Sequence, residues 1–574
     1  MDFKNTYKSW IDDGRLNLEA RKELSAITDE KDIEYRFGAE LEFGTAGMRG
    51  IIGYGTNMMN VYTVARATKG LAKFICTLGE KAKKDGVVIS FDTRLKSDEF
   101  AKVSAMVLAQ AGIRAYLYDS VHPVPMLSYA VRKLKTVAGI MITASHNPKQ
   151  YNGYKVYGAD GAQMSPEDTA KVVEFINAID DYLDFPCPSD AEMKKFIKRV
   201  PRGVDKGYYA SLTKLTLSKQ AVKKCGKTLK LVYTPVHGSG YVPVTTILKK
   251  IGIKATVVQE QIAPDSEFST VQVPNPEYKE TLSMGIKLAN EIGATVVFGT
   301  DPDSDRLGVA VKNKDGEFEA LSGNQVGILL LDYVLTRLKE DKKLPANSAV
   351  VKSFVTTGMA KPICDKAGIT LFEVPVGFKF IGEKIKLWER DGKHTFVFGF
   401  EESCGYLRGT HARDKDAVVA SMLCAEMVCY YTYKGKTVFE RLNEIYKEYG
   451  YVLDENVSIQ YSGLNAMKEM NAVVNALKDN PIKNFGIYEV SAIRDYSKDV
   501  RLDLATGESA PIGSPLTNCV YYELKNGSFI CVRPSGTEPK LKIYYSVKAN
   551  NKQDATEALA KMKTAVEELL AKLK

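Results

Sequence analysis

Two regimes of hydrophobic patterning alternate along the chain. Apolar runs of four or five residues give way to stretches in which apolar positions recur every three or four residues, the marks of a buried strand followed by an amphipathic helix. Residues 87–91 (Val-Val-Ile-Ser-Phe) read as a buried strand. A helix follows with Val103, Met106, Val107 and Ala111 on one face, and Gly112-Ile113 leads into a second strand over 115–118. The order recurs at 229–233, with a helix carrying Val244, Ile247, Leu248 and Ile251, then Gly252-Ile253 and a strand through Val258. It recurs again at 350–355, with a helix, Gly368-Ile369 and a strand over 371–374. The glycine that closes each helix is a C-cap signal, because that position takes a left-handed backbone.

Each unit continues into a further apolar strand that ends in a polar loop. Residues 139–142 end in Thr143-Ala144-Ser145-His146-Asn147-Pro148. Residues 294–298 end in Asp301-Pro302-Asp303-Ser304-Asp305-Arg306, and residues 395–398 in Glu401-Glu402-Ser403-Cys404-Gly405. Strand–helix–strand units with short connections predict α/β domains with mostly parallel sheets, whose ligand sites lie beyond the carboxyl ends of the strands. Three related domains therefore each offer one loop. The C-terminal stretch differs: a strand over 518–524, the hairpin turn Asn526-Gly527, a returning strand over 528–532, a loop at 533–540 and a strand over 541–547. A closing helix with Leu559, Met562, Val566, Leu569 and Leu573 on one side completes a smaller α+β domain. Boundaries at 1–205, 206–325, 326–450 and 451–574 give four domains, in line with 574 residues at roughly 150 per domain.

Composition narrows the class. Hydrophobic residues at 45% and charged residues at 26% exclude a disordered or collagen-like chain. Lys+Arg 79 against Asp+Glu 70 leaves +9 with acids interleaved, which disfavours a nucleic-acid surface and suits a small anionic substrate. No apolar run reaches the ~18 to 20 residues that span a bilayer, and the start lacks the basic-then-apolar order of a secretory signal. Nine cysteines without a Cys-x-x-Cys pair argue against structural zinc and against a disulfide framework, so a cytoplasmic location is expected.

The loops carry the candidate chemistry. Asp301, Asp303 and Asp305 crowd three carboxylates into five residues after a buried strand; their repulsion would be relieved by a hard divalent cation. Mg²⁺ fits three protein oxygens better than Ca²⁺, because it takes its other ligands from water or phosphate. An EF-hand is excluded, since Arg306 and Lys312 stand where the loop needs Gly and Glu. An aspartyl-phosphate phosphatase could use Asp301 as nucleophile, but Ser304 and Asp305 replace the Gly and Thr/Val usual there, and 307–311 reads as a strand. Ser145 is the candidate nucleophile; no Gly-x-Ser-x-Gly elbow surrounds it, and its polar, Pro-bounded turn suits a serine that carries phosphate. Arg533-Pro534-Ser535-Gly536-Thr537 has the ingredients of a phosphate cradle. Gly44 to Gly50 has a similar composition and is not a Walker loop. Glu401, Glu402 and Ser403 supply acceptors for sugar hydroxyls, with Lys379, Arg413 and Lys415 nearby in sequence. His122, His237, His394 and His411 lack ligand spacing, and Trp10 and Trp388 read as packing residues.

With these loops in hand, the sequence resembles the α-D-phosphohexomutases, and among them the glucose-preferring bacterial members. The likeness covers nearly the whole chain and keeps motif order: 143–148, 301–306, 399–403 and 533–537. It implies four domains around a central cleft, the first three of related mixed or parallel α/β topology. It implies Ser145 as the phosphoserine, with Mg²⁺ held by Asp301, Asp303, Asp305 and an oxygen on Ser145. Lys155 is implied as general acid/base with His146 assisting, and Arg49 as the arginine near the transferred group. Arg306 is implied beside the metal, Lys379 and Lys415 with the substrate, Glu401 and Ser403 on sugar hydroxyls, and Arg533, Ser535, Gly536 and Thr537 on the non-reacting phosphate. The implied reaction interconverts hexose 1- and 6-phosphates, with glucose 1,6-bisphosphate as intermediate and activator. The implied partner is a small sugar phosphate, with no nucleic acid and no membrane. Pro302 and Ser304 depart from the Gly or Ala of many members, and mannose or pentose phosphates stand beside glucose as substrates.

Overall fold

The computed structural model describes residues 2–44, 47–461, 466–535 and 540–573. The chain forms two compact units. One comprises Met1–Ser322, Gly382–Asp391 and Cys404–Tyr433; the other comprises Gly323–Ile381, Gly392–Ser403 and Lys434–Lys574.

In the first unit, the two predicted strand–helix–strand patterns build two sheets. The strand Val87–Phe91 is buried at all five positions, so it reads as a continuous apolar run rather than as an alternation. It pairs in parallel with Ala115–Leu117 on one side and Ala138–Ile142 on the other. Antiparallel strands extend the sheet: Tyr151–Gly158 on Ala138–Ile142, then Gly47–Ile51 on Tyr151–Gly158. The second sheet has a parallel core of Ala255–Val257, Leu231–Thr234 and Val296–Thr300, extended antiparallel by Leu307–Lys312 and Phe318–Leu321. Both sheets are therefore mixed, because each polar loop closes a hairpin onto the strand before it. Among the C-cap glycines expected from the sequence, Gly112, Gly252 and Gly368 all take positive φ, at 70°, 95° and 72°.

Two strands start later than the apolar pattern predicts, for a common reason. Leu229 spends its N–H on the carbonyl of Cys225 at the end of the preceding helix, so the strand begins at Leu231. Ala294 likewise closes the cap of the helix Ser283–Ile292 by donating to Ala289, and the strand begins at Val296. An apolar residue whose N–H is spent on the end of a helix mimics a strand start in the sequence. Ahead of the first sheet, three short helices pack through Trp10, whose ring meets Phe37 and Tyr62 edge-on at 5.5 and 5.6 Å, in the packing role expected for it.

In the second unit, Thr370–Val374, Ser348–Ser353 and Thr395–Glu401 run parallel, the third copy of the repeat. The C-terminal part is an antiparallel sheet ordered Tyr451–Gln460, Lys540–Ala549, Phe529–Pro534, Val520–Leu524, Tyr488–Asp495, Val500–Asp503 and Ser509–Pro511. The Asn526-Gly527 hairpin joins Val520–Leu524 to Phe529–Pro534 as predicted, with Gly527 at φ 83°. The helices Ala466–Asp479 and Lys552–Leu573 contribute Met470, Val474, Leu559, Met562 and Val566 to the core on that sheet. No helix among the described residues is long and apolar enough to cross a membrane.

Candidate active site

In the first unit, two hairpin loops converge. The first, after Ala138–Ile142, carries Ser145; the second, after Val296–Thr300, carries the three aspartates. The Ser145 hydroxyl donates to Asp301 Oδ2 at 2.9 Å and lies 3.2 Å from His146 Nδ1. Ser145 is 4% exposed, and its φ of 53° places a non-glycine residue in the left-handed region. The sequence separates these loops by 156 positions. The fold brings them into hydrogen-bond contact because both lie beyond the carboxyl ends of central strands.

The aspartates are fully buried, and one oxygen from each lies within 4.8 Å of the others. Asp301 Oδ1 accepts the backbone N–H of Asp305 and of Arg306, at 3.1 and 3.0 Å, and so curls the loop around itself. Asp303 Oδ2 accepts Lys155 Nζ at 2.9 Å, and Asp305 Oδ2 pairs with Lys415 Nζ at 3.2 Å. The second oxygens, Asp303 Oδ1 and Asp305 Oδ1, are buried without a hydrogen-bond partner among the described residues. Burial together with the charges of Asp303 and Asp305 holds Asp301 well above the usual carboxylate range. Burial also pushes Asp303 up, but Lys155 beside it outweighs that and keeps it well below the range. Asp305 is raised by burial and by Asp303. Three buried carboxylates, two of them raised by burial and by one another's charge, with two oxygens unused, fit a hard metal ion with oxygen ligands.

The remaining residues expected in this unit fall around the same point. Arg49, on the edge strand Gly47–Ile51, donates through Nη1 to Asn147 Oδ1 at 2.9 Å. Lys155 lies two residues beyond Gly153, the register partner of Arg49 on Tyr151–Gly158. Burial, with the charges of Arg306, Arg49, Lys155 and Arg94, holds His146 well below the ordinary imidazole range, so the ring is neutral at pH 7. Arg306 pairs with Glu277 and keeps its Nε 3.9 Å from Asp305 Oδ1. Lys415 reaches Asp305 and Asp414. Arg413 is buried on Glu389 and on the carbonyls of Thr410 and Ala412, a packing role.

In the second unit, Glu401 is 5% exposed at the end of Thr395–Glu401 and accepts Ser403 Oγ at 3.2 Å. Glu402 turns inward to accept the hydroxyls of Ser353 and Thr356 at 3.0 and 3.1 Å, so it buttresses the loop. Lys379 lies in the first turn of Phe378–Asp391, 5.1 Å from the Phe380 ring centre. Arg533 is the next-to-last residue of Phe529–Pro534, opposite Lys542, and the Ser535 N–H donates to Lys540 O at 2.7 Å. Gly536 and Thr537 lie outside the described residues.

Sequence reasoning did not single out Asp92, Arg94 or Ser239, although all three follow buried strands at the ends where the other loops lie. That position was the available signal. Ser239 matters to the metal loop because it binds the Pro302 carbonyl twice.

Comparison with known proteins shows the family. Models of phosphoglucomutase/phosphomannomutase α/β/α domains I, II and III match residues 40–183, 206–316 and 322–449 in that order. The chain is 36% identical over 536 residues to a phosphoglucomutase of Staphylococcus aureus (strain USA300), covering 93% of this chain and 94% of that protein. A phosphoglucomutase of Staphylococcus haemolyticus (strain JCSC1435) is 36% identical over 520 residues, covering 90% and 92%. Among solved structures, a putative phosphomannomutase from Thermus thermophilus shares the fold at TM-score 0.67 and 22% identity, covering 92% of this chain and 99% of that one. The open form of Paramecium pp63/parafusin does so at TM-score 0.67 and 17% identity, covering 93% and 96%. Three domain matches in order, with identity at this level along almost the whole length, show that the chain belongs to the α-D-phosphohexomutases, the phosphoglucomutase/phosphomannomutase family.

Proposed function

We propose that this chain is a phosphoglucomutase, interconverting glucose 1-phosphate and glucose 6-phosphate through a phosphorylated Ser145. The observation that carries the reading is the 2.9 Å contact between Ser145 Oγ and the buried aspartate trio, in a chain whose curated relatives are phosphoglucomutases. A free sugar hydroxyl attacks the phosphorus on Ser145. The bond from phosphorus to Ser145 Oγ breaks, and the hydroxyl proton passes to a base. Lys155 is that base, and it returns the proton when the other phosphate of glucose 1,6-bisphosphate is handed back to Ser145. His146, neutral beside the free hydroxyl and 3.2 Å from Ser145 Oγ, takes the serine proton as Ser145 is rephosphorylated and returns it to Oγ when Ser145 is next the leaving group.

Phosphoryl transfer is governed by positioning and charge neutralisation. A magnesium ion held by Asp301, Asp303, Asp305 and an oxygen on Ser145 would supply positive charge to the phosphoryl oxygens. Arg49 neutralises the group in transit, with Arg306 and Lys415 flanking the acidic loop. Glu401 and Ser403 accept and donate to sugar hydroxyls, while Lys379, Arg533 and Ser535, with Gly536 and Thr537, grip the phosphate that does not react. A phosphatase that uses Asp301 as nucleophile fits less well: Asp301 Oδ1 is taken by two backbone N–H groups, and a strand, Leu307–Lys312, follows the loop.

Intact mass and peptide mapping of the purified protein provide the test. Phosphate on the peptide containing Ser145, discharged by glucose 1-phosphate, and near-complete loss of turnover in Ser145→Ala are expected. Turnover that survives Ser145→Ala overturns the reading. Glucose, mannose and ribose 1-phosphates compared side by side rank the sugar, with glucose expected first.

A further inference from the structure

The Ser145 loop is held from behind by one buried cation. Arg94 follows the strand Val87–Phe91 and is 3% exposed, with no exposure of its side chain. Its Nη2 donates to the carbonyls of Ser145 and Asn147 at 2.6 and 2.5 Å. Its Nη1 donates to the carbonyls of Pro148 and Tyr151, both at 3.0 Å. A single planar guanidinium thus gathers four carbonyls from residues 145–151. The Phe268 ring, 1% exposed, covers the guanidinium at 5.2 Å and fixes its plane.

The N–H side of the same residue is fixed by a second chain of bonds. The Ser145 N–H donates to Thr143 Oγ1 at 2.8 Å, and that hydroxyl donates to Asp92 Oδ2 at 2.6 Å. Asp92 Oδ1 accepts Ser97 Oγ and the Arg94 N–H at 2.8 and 2.9 Å, and Asp92 Oδ2 lies 3.4 Å from Arg94 Nε. Both backbone polar groups of Ser145 therefore run to one buried Asp92–Arg94 pair. A serine has no intrinsic reason to hold φ at 53°; such a conformation persists where the surroundings over-determine it. Here they do, and the result is that Oγ points at Asp301.

We propose that Arg94 is a positioning residue for phosphoryl transfer. By tying the carbonyls of residues 145, 147, 148 and 151 to one plane, with Thr143 and Asp92 holding the N–H side, it keeps Ser145 left-handed and its Oγ aimed at the aspartate trio. The inference rests on Ser145 being the phosphoryl carrier. Lysine cannot replace arginine here, because a point charge on a flexible stem cannot bind four carbonyls in a fixed fork. Displacement of a reacting atom by about 1 Å costs on the order of 100-fold in rate, and substrate affinity need not change with it.

The experiment compares Arg94→Lys, Arg94→Gly and Thr143→Val with wild type for kcat and KM on glucose 1-phosphate, alongside melting temperature and the phosphate on Ser145. In folded Arg94→Lys and Thr143→Val, kcat is expected to fall at least 10-fold with KM within about 3-fold of wild type. In Arg94→Gly, methylguanidinium is expected to restore turnover at least 5-fold and methylammonium is not, a discrimination that a loss of general stability would not produce. Wild-type kcat in folded Arg94→Lys, or equal rescue by both cations, overturns the proposal. If neither Arg94 variant folds, Thr143→Val decides: unchanged kcat refutes the fixation of the Ser145 backbone, and a 10-fold loss at constant KM supports it. A wild-type protein with no mutase turnover and no phosphate on Ser145 would refute the carrier role of Ser145 itself, a different failure.

Discussion

The backbone N–H and the hydroxyl of Ser239 both donate to the carbonyl oxygen of Pro302, each at 2.8 Å. Pro302 lies between two of the three buried aspartates, so the loop after Leu231–Thr234 sets the height of the acidic loop. That loop is itself strained, with Val236 at φ 47° and His237 at φ 58°. His237 anchors it through Nδ1 to Ala263 O and Nε2 to Thr270 Oγ1, at 3.0 and 2.8 Å. Gly238 sits so close that a Cβ there would meet Pro302 Cα at 2.6 Å.

Ser239→Ala removes one of two bonds to Pro302, a loss of about 1 kcal/mol. The expected outcome is a roughly 5-fold higher Mg²⁺ concentration for half-maximal activity, since about 1.4 kcal/mol is tenfold in an equilibrium constant. Gly238→Ala pushes on backbone that has nowhere to go, so a larger loss is expected. Magnesium titration of both variants checks the order, and an unchanged titration for Gly238→Ala contradicts it.

The acidic trio makes an opposite pair of predictions for stability and activity. Asp305 Oδ1 has no hydrogen-bond partner among the described residues, and burial with Asp303 raises the carboxyl above its ordinary range. Asp305→Asn relieves that repulsion, so in chelator-treated protein the variant should melt at or above the wild-type temperature. Wild type should gain thermal stability on adding Mg²⁺, because a ligand that binds only the folded state stabilises it. Asp305→Asn should lose most of that gain and most turnover. Thermal melts with and without Mg²⁺ test this, and a metal-free variant that melts several degrees lower tells against it.

The loop of Ser145 and the acidic loop, which the fold brings together, stood out in the sequence because their chemistry is hard to explain otherwise. Three carboxylates after a run of buried valines have no packing role, and Ser145 sits at the matching place in the neighbouring repeat. Arg94, Asp92 and Ser239 were not legible, because their partners are backbone carbonyls and a hydroxyl on distant loops. Nothing in the local pattern of Asp92-Thr93-Arg94 separates it from an ordinary charged turn. In the C-terminal sheet, the strands Tyr488–Asp495 and Val500–Asp503 escaped notice for a related reason. Arg494 and Arg501 project toward Glu523 on one face, and strands that carry such ion pairs lack the apolar run that marks a buried strand.

In the second unit, Glu373 and Lys352 face each other across parallel strands at 2.8 Å, and Arg494 reaches the other carboxylate oxygen at 3.0 Å. Burial works against ionisation of Glu373, but Lys352 and Arg494 outweigh it and bring the carboxyl down to about 2 from an ordinary 4.5. A depressed carboxyl stabilises the fold fully above the unfolded value and loses that contribution as pH falls from about 4.5 toward 2. The full shift corresponds to about 3 kcal/mol, and solvent at a side chain 34% exposed reduces it to roughly 1 to 2 kcal/mol. Glu373→Gln should therefore be less stable by that amount at pH 7, and the gap should nearly close as pH falls to about 2. Denaturant titrations at the two pH values measure it, and a gap independent of pH contradicts the ion-pair account.

Lys155 separates proton transfer from metal holding. Its Nζ lies 2.9 Å from Asp303 Oδ2, and its side chain is 12% exposed, so it is positioned both to move a proton and to compete with a cation for the same carboxylate. If proton transfer is its main task, Lys155→Met should lower kcat by about 100- to 10,000-fold, the usual range for losing a general acid/base. The same change frees Asp303 from a competing positive charge, so Mg²⁺ should bind at least as tightly as in wild type. Lys155→Arg restores the charge but not the chemistry, since a guanidinium does not give up its proton near neutrality. It should therefore remain nearly as slow as Lys155→Met while binding Mg²⁺ more weakly. Isothermal titration with Mg²⁺ beside steady-state kinetics distinguishes the two roles: a Lys155→Arg variant that regains wild-type kcat would make Lys155 a charge partner of Asp303 and leave the proton to His146.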